Sequence, residues 1–267
     1  MKKILRILEI TFWILLTGGL FVALGFTNIE QNSQVCKEYE ISIDYGNADV
    51  LITRDDIYQV VKQTGHILKG QKFGLINAER VESAIRRQPY VAKANVFVTI
   101  DGHTQINVIQ RQPILRIFNQ KGESYYLDGT GHLLPLNPDF AARVPVANGH
   151  IPEAYSKNAN YLQDTVRNRD SILYGSVMNN LFILSTYIIR EPFLKVLVDQ
   201  IYVDNSGDFE LVPKIGSQLI IFGKPENMEE KFNKLLVFYR RGLNKTGWNK
   251  YNVINIKYKN QVVCSKI

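Results

Sequence analysis

The run ILEITFWILLTGGLFVALGF, Ile7 to Phe26, constrains this chain more than any other feature. It is almost unbroken apolar sequence with one charge, Glu9. About 20 such residues at 1.5 Å each match a bilayer core of about 30 Å, so the run predicts a single membrane-spanning helix. Lys2, Lys3 and Arg6 precede it and predict a cytoplasmic N-terminus, with everything after Phe26 on the outer side. A cleaved signal peptide is the competing reading, because Ala23-Leu24-Gly25 has the small-x-small form of a cleavage site. Signal-peptide apolar regions extend over about 7–15 residues, which favours an uncleaved anchor here.

That topology decides how the charge is read. The 267 residues carry 32 Lys and Arg against 25 Asp and Glu, a formal net charge of +7. A basic chain suits acidic proteins, an anionic membrane surface or nucleic acid, and an exported position disfavours nucleic acid. With 45% hydrophobic residues, the length allows one large core or two modest ones. Cys36 and Cys264 stand at opposite ends of the exported part. They could pair outside the cytoplasm, but nothing in the sequence implies contact, and two separate thiols are expected.

Residues 1–6 form the cytoplasmic end, 7–26 the span and 27–37 a polar tether. Ile41, Ile43 and Tyr45 then alternate as a strand, broken by the turn residues Gly46-Asn47. Thr53 with Asp56 is an Asp variant of the capping box and opens a helix through Thr64, with Ile57, Val60 and Val61 on its buried face. Asn77 caps a second helix bearing Val81, Ala84 and Ile85, which Pro89 stops. Ala94, Val96, Val98 and Ile100 share one face of the next strand; Thr104, Ile106 and Val108 share one face of the strand after it. A two-residue Asp101-Gly102 turn would set Val98 opposite Gln105 and scramble the faces. A three-residue loop from Asp101 to His103 sets Val98 opposite Ile106 and Val96 opposite Val108, and is expected. Strand, helix, helix, strand, strand predicts a small sheet with both helices on one face over residues 38–113.

Residues 114–265 predict a second, mixed β-rich domain. ILRIFNQKGESYYLDGTGHLLPL reads as short strands with turns at Lys121-Gly122 and Asp128 to Gly131. Leu173, Val177, Leu181, Leu184 and Ile188 form a buried helix face ended by Pro192. A hairpin about Asn205 to Asp208 leads to the strand SQLIIFG. Met228, Phe232, Leu235, Leu236 and Tyr239 stripe a helix from Met228 to Arg241, with a solvated basic face of Lys231, Lys234, Arg240 and Arg241. One last strand, NVINIKYKNQVVCSK, ends the chain.

The first pattern, carried by ISIDYGN, RVESAIRRQPYVAKANV and INVIQRQPILRI, resembles a POTRA (polypeptide-transport-associated) domain. An anchor, one such domain and a β-rich domain, with YYLDGTGHLLPL, IIFGKPENMEEKFNKL and INIKYKN in order, resemble the bacterial FtsQ/DivIB cell-division family. Departures are Asp101 where the family often has Pro, Gln110 where it has Glu, and Asn255-Ile256-Lys257-Tyr258 for an Asp-Leu-Arg-Tyr-like run. The resemblance implies an α+β scaffold of the divisome in the inner membrane, its exported domains in the periplasm at the division site. FtsB-like and FtsL-like single-pass proteins would be its partners, with other division proteins reaching the POTRA-like domain. A POTRA-containing component of protein export or outer-membrane assembly is the alternative. It should carry several POTRA units or a barrel, and the residues after 114 lack a barrel's succession of ten-residue alternating strands.

Chemistry is hard to place in this sequence. His66, His103, His132 and His150 stand singly, without paired-ligand spacing. No Gly-x-Ser-x-Gly or Ser-x-x-Lys occurs. Asp204 to Asp208 matches only the start of a calcium loop, without the distal Glu. No enzyme, cofactor or metal is expected. What remains is binding, at Ile256, Lys257, Tyr258, Lys259 and Asn260. Read as strand, this stretch puts both lysines on one face and Ile256 and Tyr258 on the other, near a sheet edge that could accept a partner's strand. By itself it is an ordinary amphipathic strand; the family resemblance implies that Tyr258 packs on the added segment and Lys257 meets an acidic residue. The hairpin within Gln88 to Ile117 is a second candidate surface, or simply the completion of a small core.

Overall fold

In the computed structural model, the described residues are 11–20, 35–65, 69–72, 75–99, 103–161, 176–243, 245 and 247–266. Residues 11–20 are helical and exposed. The rest of the expected span 7–26 lies outside the described residues, as do residues 1–6, most of the tether, His66 and Leu173. Among the described residues no helix is long and apolar enough to cross a membrane. Two compact units follow. One holds residues up to Asp44 and Ile52–Gln110; the other holds Tyr45–Leu51 and Arg111 onward.

The first unit runs β1 (Glu38–Asp44), α1 (Arg54–Gln63), α2 (Ala78–Arg86), β2 (Val91–Val98) and β3 (His103–Gln110). Its sheet has the order β1-β3-β2, with β1 parallel and β2 antiparallel to the central β3. Local chemistry explains the helix starts. The Asp56 N–H donates to Thr53 Oγ1, and the Thr53 N–H donates back to the Asp56 carboxylate at 2.8 Å. Such a cap is worth about 1 kcal/mol. Asn77 Oδ1 accepts the Arg80 N–H at 2.9 Å. Ile57 and Val61 of α1 and Val81 and Ile85 of α2 bury against Ile41, Ala94, Val96, Ile106 and Val108, so both helices cover one face of the sheet.

The hairpin register differs from expectation. Val98 pairs with Thr104 and Val96 with Ile106, two residues from the expected partners. The closing pair is Thr99 with His103, whose carbonyl accepts the Thr99 N–H at 2.8 Å. Thr99 Oγ1 also accepts the His103 N–H, at 3.2 Å. This side-chain bond favours closure at Thr99, which apolar patterning alone does not signal. An even shift keeps every side chain on its face, so the core survives it.

The second unit contains β4 (Pro113–Phe118), β5 (Ser124–Asp128), β6 (Leu133–Leu134), β7 (Val146–Gly149), α3 (Val177–Arg190), α4 (Pro192–Leu197), β8 (Val198–Val203), β9 (Phe209–Pro213), β10 (Leu219–Gly223), α5 (Met228–Val237), β11 (Tyr251–Asn255) and β12 (Val263–Lys266). They build one nine-stranded sheet in the order β12-β11-β10-β9-β8-β7-β4-β5-β6. Pro113 opens β4, where a missing N–H is tolerated. Leu181, Leu184 and Ile188 of α3 join Leu115, Ile117, Ile201, Leu211 and Ile220 in the core. The pair β10–β11 is parallel and therefore needs a crossover, which α5 supplies.

Past Val237 the α-helix expected to reach Arg241 widens into a π-turn, Phe238–Leu243. Gly242 permits it: a Cβ there would lie 2.7 Å from the Phe238 ring. The expected basic face is corrected as well. Lys231 is buried, not solvated; its ammonium donates to the Lys224 carbonyl at 2.7 Å and sits 4.8 Å over the Phe222 ring. Desolvation lowers its pKa below the ordinary 10.5. Both cysteines are free: Cys36 is buried with Sγ 3.2 Å from Thr104 Oγ1, and Cys264 is partly buried.

Candidate functional site

The last strand of the sequence reading is two strands. β11 ends at Asn255 and β12 begins at Val263, paired antiparallel with Ile254 opposite Cys264. Ile256 to Asn260 therefore lie in the connection. Two features turn the chain past Ile256. The Ile256 N–H still bonds Ile221 O at 3.0 Å, the last link to β10. Asn255 Oδ1 then accepts the Lys257 N–H at 3.0 Å, an Asx turn. Asn260 takes a left-handed φ of 58°, which asparagine tolerates better than most residues.

The alternation expected across these residues fails accordingly. Ile256 is wholly buried, whereas Tyr258 is 50% exposed and no longer shares its face. Lys257 is not aimed outward as a free cation. Its ammonium donates to Asp208 Oδ2 at 2.5 Å, and Lys224 lies 3.4 Å from the other carboxylate oxygen. Hydrogen bonding to Asp208, then its charge, raises the Lys257 pKa above 10.5. Gly223 makes room for this lysine: at φ 76°, a Cβ there would stand 2.9 Å from Lys257 Cγ. Lys259 and Asn260 are exposed in the turn.

The sequence reading missed Asp208, Glu230 and Lys234 as parts of this site. Lys234 Nζ donates to the Tyr258 carbonyl at 2.5 Å, and Glu230 Oε1 accepts the Asn260 N–H at 3.3 Å. That amide, ahead of all other causes, lowers the Glu230 pKa below 4.5. These residues stand 24 to 49 positions before their partners, so no local spacing announces them. Asp208 itself belongs to the DNSGD turn, where Asp204 Oδ1 accepts the N–H groups of Ser206 and Asp208 at 2.8 and 2.9 Å. A groove of about 600 Å³ lies beside the connection, lined among others by Val237, Phe238, Val262, Lys234 and Arg241.

β12 is the end strand of the nine-stranded sheet and pairs only with β11 among the described residues. Its outer side thus offers main-chain donors and acceptors to an added strand. The small sheet offers less. On the side of β2 away from β3, the Val96 N–H is already taken by Glu82 Oε1 at 2.8 Å. A strand docking there must displace that carboxylate.

A family model described as FtsQ/DivIB, C-terminal related, matches residues 112–265. A POTRA-like domain model matches residues 34–109. None of the curated proteins compared with the chain matches it.

Proposed function

Because the chain belongs to the FtsQ/DivIB C-terminal related family, we propose that it is a non-catalytic, single-pass scaffold of the bacterial division machinery. In this reading its exported domains join early division components to septal wall synthesis. FtsB-like and FtsL-like proteins dock at the C-terminal hairpin, one of them adding an extended segment to the outer side of β12. The membrane anchor is the apolar run 7–26, with the N-terminus cytoplasmic and both domains in the periplasm.

One observation supports the docking site: the half-exposed Tyr258 stands in the connection between β11 and β12, and β12 pairs only with β11 among the described residues. Main-chain pairing supplies affinity and the aromatic ring supplies a specific anchor. Lys257 contributes through Asp208 and not by meeting a partner's acid. The test is co-purification from the native bacterium. Tyr258→Asp should abolish capture of the FtsB-like and FtsL-like proteins while the variant stays folded; undiminished capture refutes the site. Depletion should yield long, unseptated cells with intact envelopes, and normal cell length would sink the division role.

A further inference from the structure

Tyr258 and Asn260 are gripped by their main chain from outside the hairpin. Lys234 donates to the Tyr258 carbonyl, Glu230 accepts the Asn260 N–H, and the two side chains lie 3.5 Å apart as an i,i+4 pair on α5. Only 16% of the Lys234 side chain is exposed, so this lysine is packed in place. The gripped stretch includes Asn260 in its left-handed conformation, which asparagine adopts more readily than most residues. Tyr258 itself leaves half its surface open. The arrangement fixes the backbone under an aromatic side chain and leaves its ring accessible.

We infer that Glu230 and Lys234 are positioning residues that hold the main chain at Tyr258 and Asn260, so that the Tyr258 ring is presented ready-made to an extended segment docking on β12. This rests on the docking reading above. Association loses less conformational freedom when the contacting side chain stands on an ordered backbone before binding. Neither Glu230 nor Lys234 has to touch the partner. A helix-stabilising ion pair alone would act within α5 and leave the connection unaffected; here both ends of the pair reach out of the helix to main-chain groups on either side of Lys259.

The test uses the full chain in detergent, with the co-purified FtsB-like protein as probe, and reads amide hydrogen exchange over residues 256–262. Glu230→Ala and Lys234→Met should speed exchange there by roughly threefold to tenfold and leave the amides of β9 and β10 unchanged. Both should weaken probe capture several-fold, and Lys234→Arg, which keeps a donor, should restore exchange and capture together. Unchanged exchange at 256–262 overturns the clamp. Faster exchange with full capture, in a protein whose Tyr258→Asp variant has lost capture, overturns the positioning role and leaves the docking site standing. Full capture by Tyr258→Asp removes the docking site itself, and with it the presentation of this ring.

Discussion

Lys257 donates to Asp208 at 2.5 Å across 49 residues of sequence, tying the connection before β12 to the turn between β8 and β9. Asp208 keeps 12% of its side chain exposed and answers Lys224 as well, at 3.4 Å. Removing the carboxylate strands two cations; removing Lys257 leaves Asp208 with a second partner. Asp208→Ala is therefore expected to cost about 1–2 kcal/mol. Lys257→Ala, whose side chain is 47% exposed and so screened by solvent, should cost about 0.5 kcal/mol. Urea unfolding midpoints decide, and equal costs would contradict the shared carboxylate.

The same bond sets a pH dependence. Asp208 raises the folded pKa of Lys257 above its ordinary 10.5. A raised folded pKa gives stability that is whole below the unfolded value and disappears as pH climbs through the folded one. The stability gap between wild type and Lys257→Met should stay level from pH 7 to about 10 and close above it. A gap that widens at alkaline pH would reverse the sign of the interaction.

Glu230 behaves in the opposite sense. The Asn260 N–H holds its folded pKa below 4.5, so its contribution is present above 4.5 and is lost as pH falls through the lower folded value. Wild type and Glu230→Gln should thus differ in stability at pH 6 and converge at strongly acid pH. Parallel curves across that range would detach Glu230 from the turn.

Gly223 has two reasons to be glycine, a φ of 76° and the Lys257 stem 2.9 Å from where a Cβ would sit. Gly65, at φ 79°, has nothing within 4 Å of its own Cβ position. Ala at either position carries the left-handed penalty of about 1–2 kcal/mol, but only Gly223→Ala also pushes Lys257. The excess cost of Gly223→Ala should vanish in a Lys257→Ala background. A persistent excess in that double mutant would assign it elsewhere.

What could be read in the sequence was what is local. Thr53 with Asp56, Asn77, and the alternation through Val96, Ile106 and Val108 each carry their structural meaning within a few residues. The hairpin faces came out right and its register did not, because apolar pattern is blind to a two-residue shift while Thr99 closing on His103 is not an apolar signal. Ile256 and Tyr258 look equivalent by alternation, yet Asn255 and Asn260 turn the chain between and after them, and that depends on backbone bonds to β10 and α5. Lys231 reads as surface charge; only the fold brings Phe222 and the Lys224 carbonyl around it. The stretch around Tyr258 was misread in shape, since its supports lie far away in sequence.

β2 is an end strand, and its Val96 N–H faces away from β3, where it would invite another chain's strand. Glu82 of α2 fills that position and is itself held by Arg86 at 3.3 Å. The nearby exposed Phe97 would add apolar contact to any strand that docked. Glu82→Ala should therefore free the edge and produce concentration-dependent self-association in sedimentation velocity, while Glu82→Gln, which keeps a carbonyl acceptor for the Val96 amide, should sediment like wild type. If the alanine variant stays as monodisperse as the glutamine one, the carboxylate is not what closes this edge.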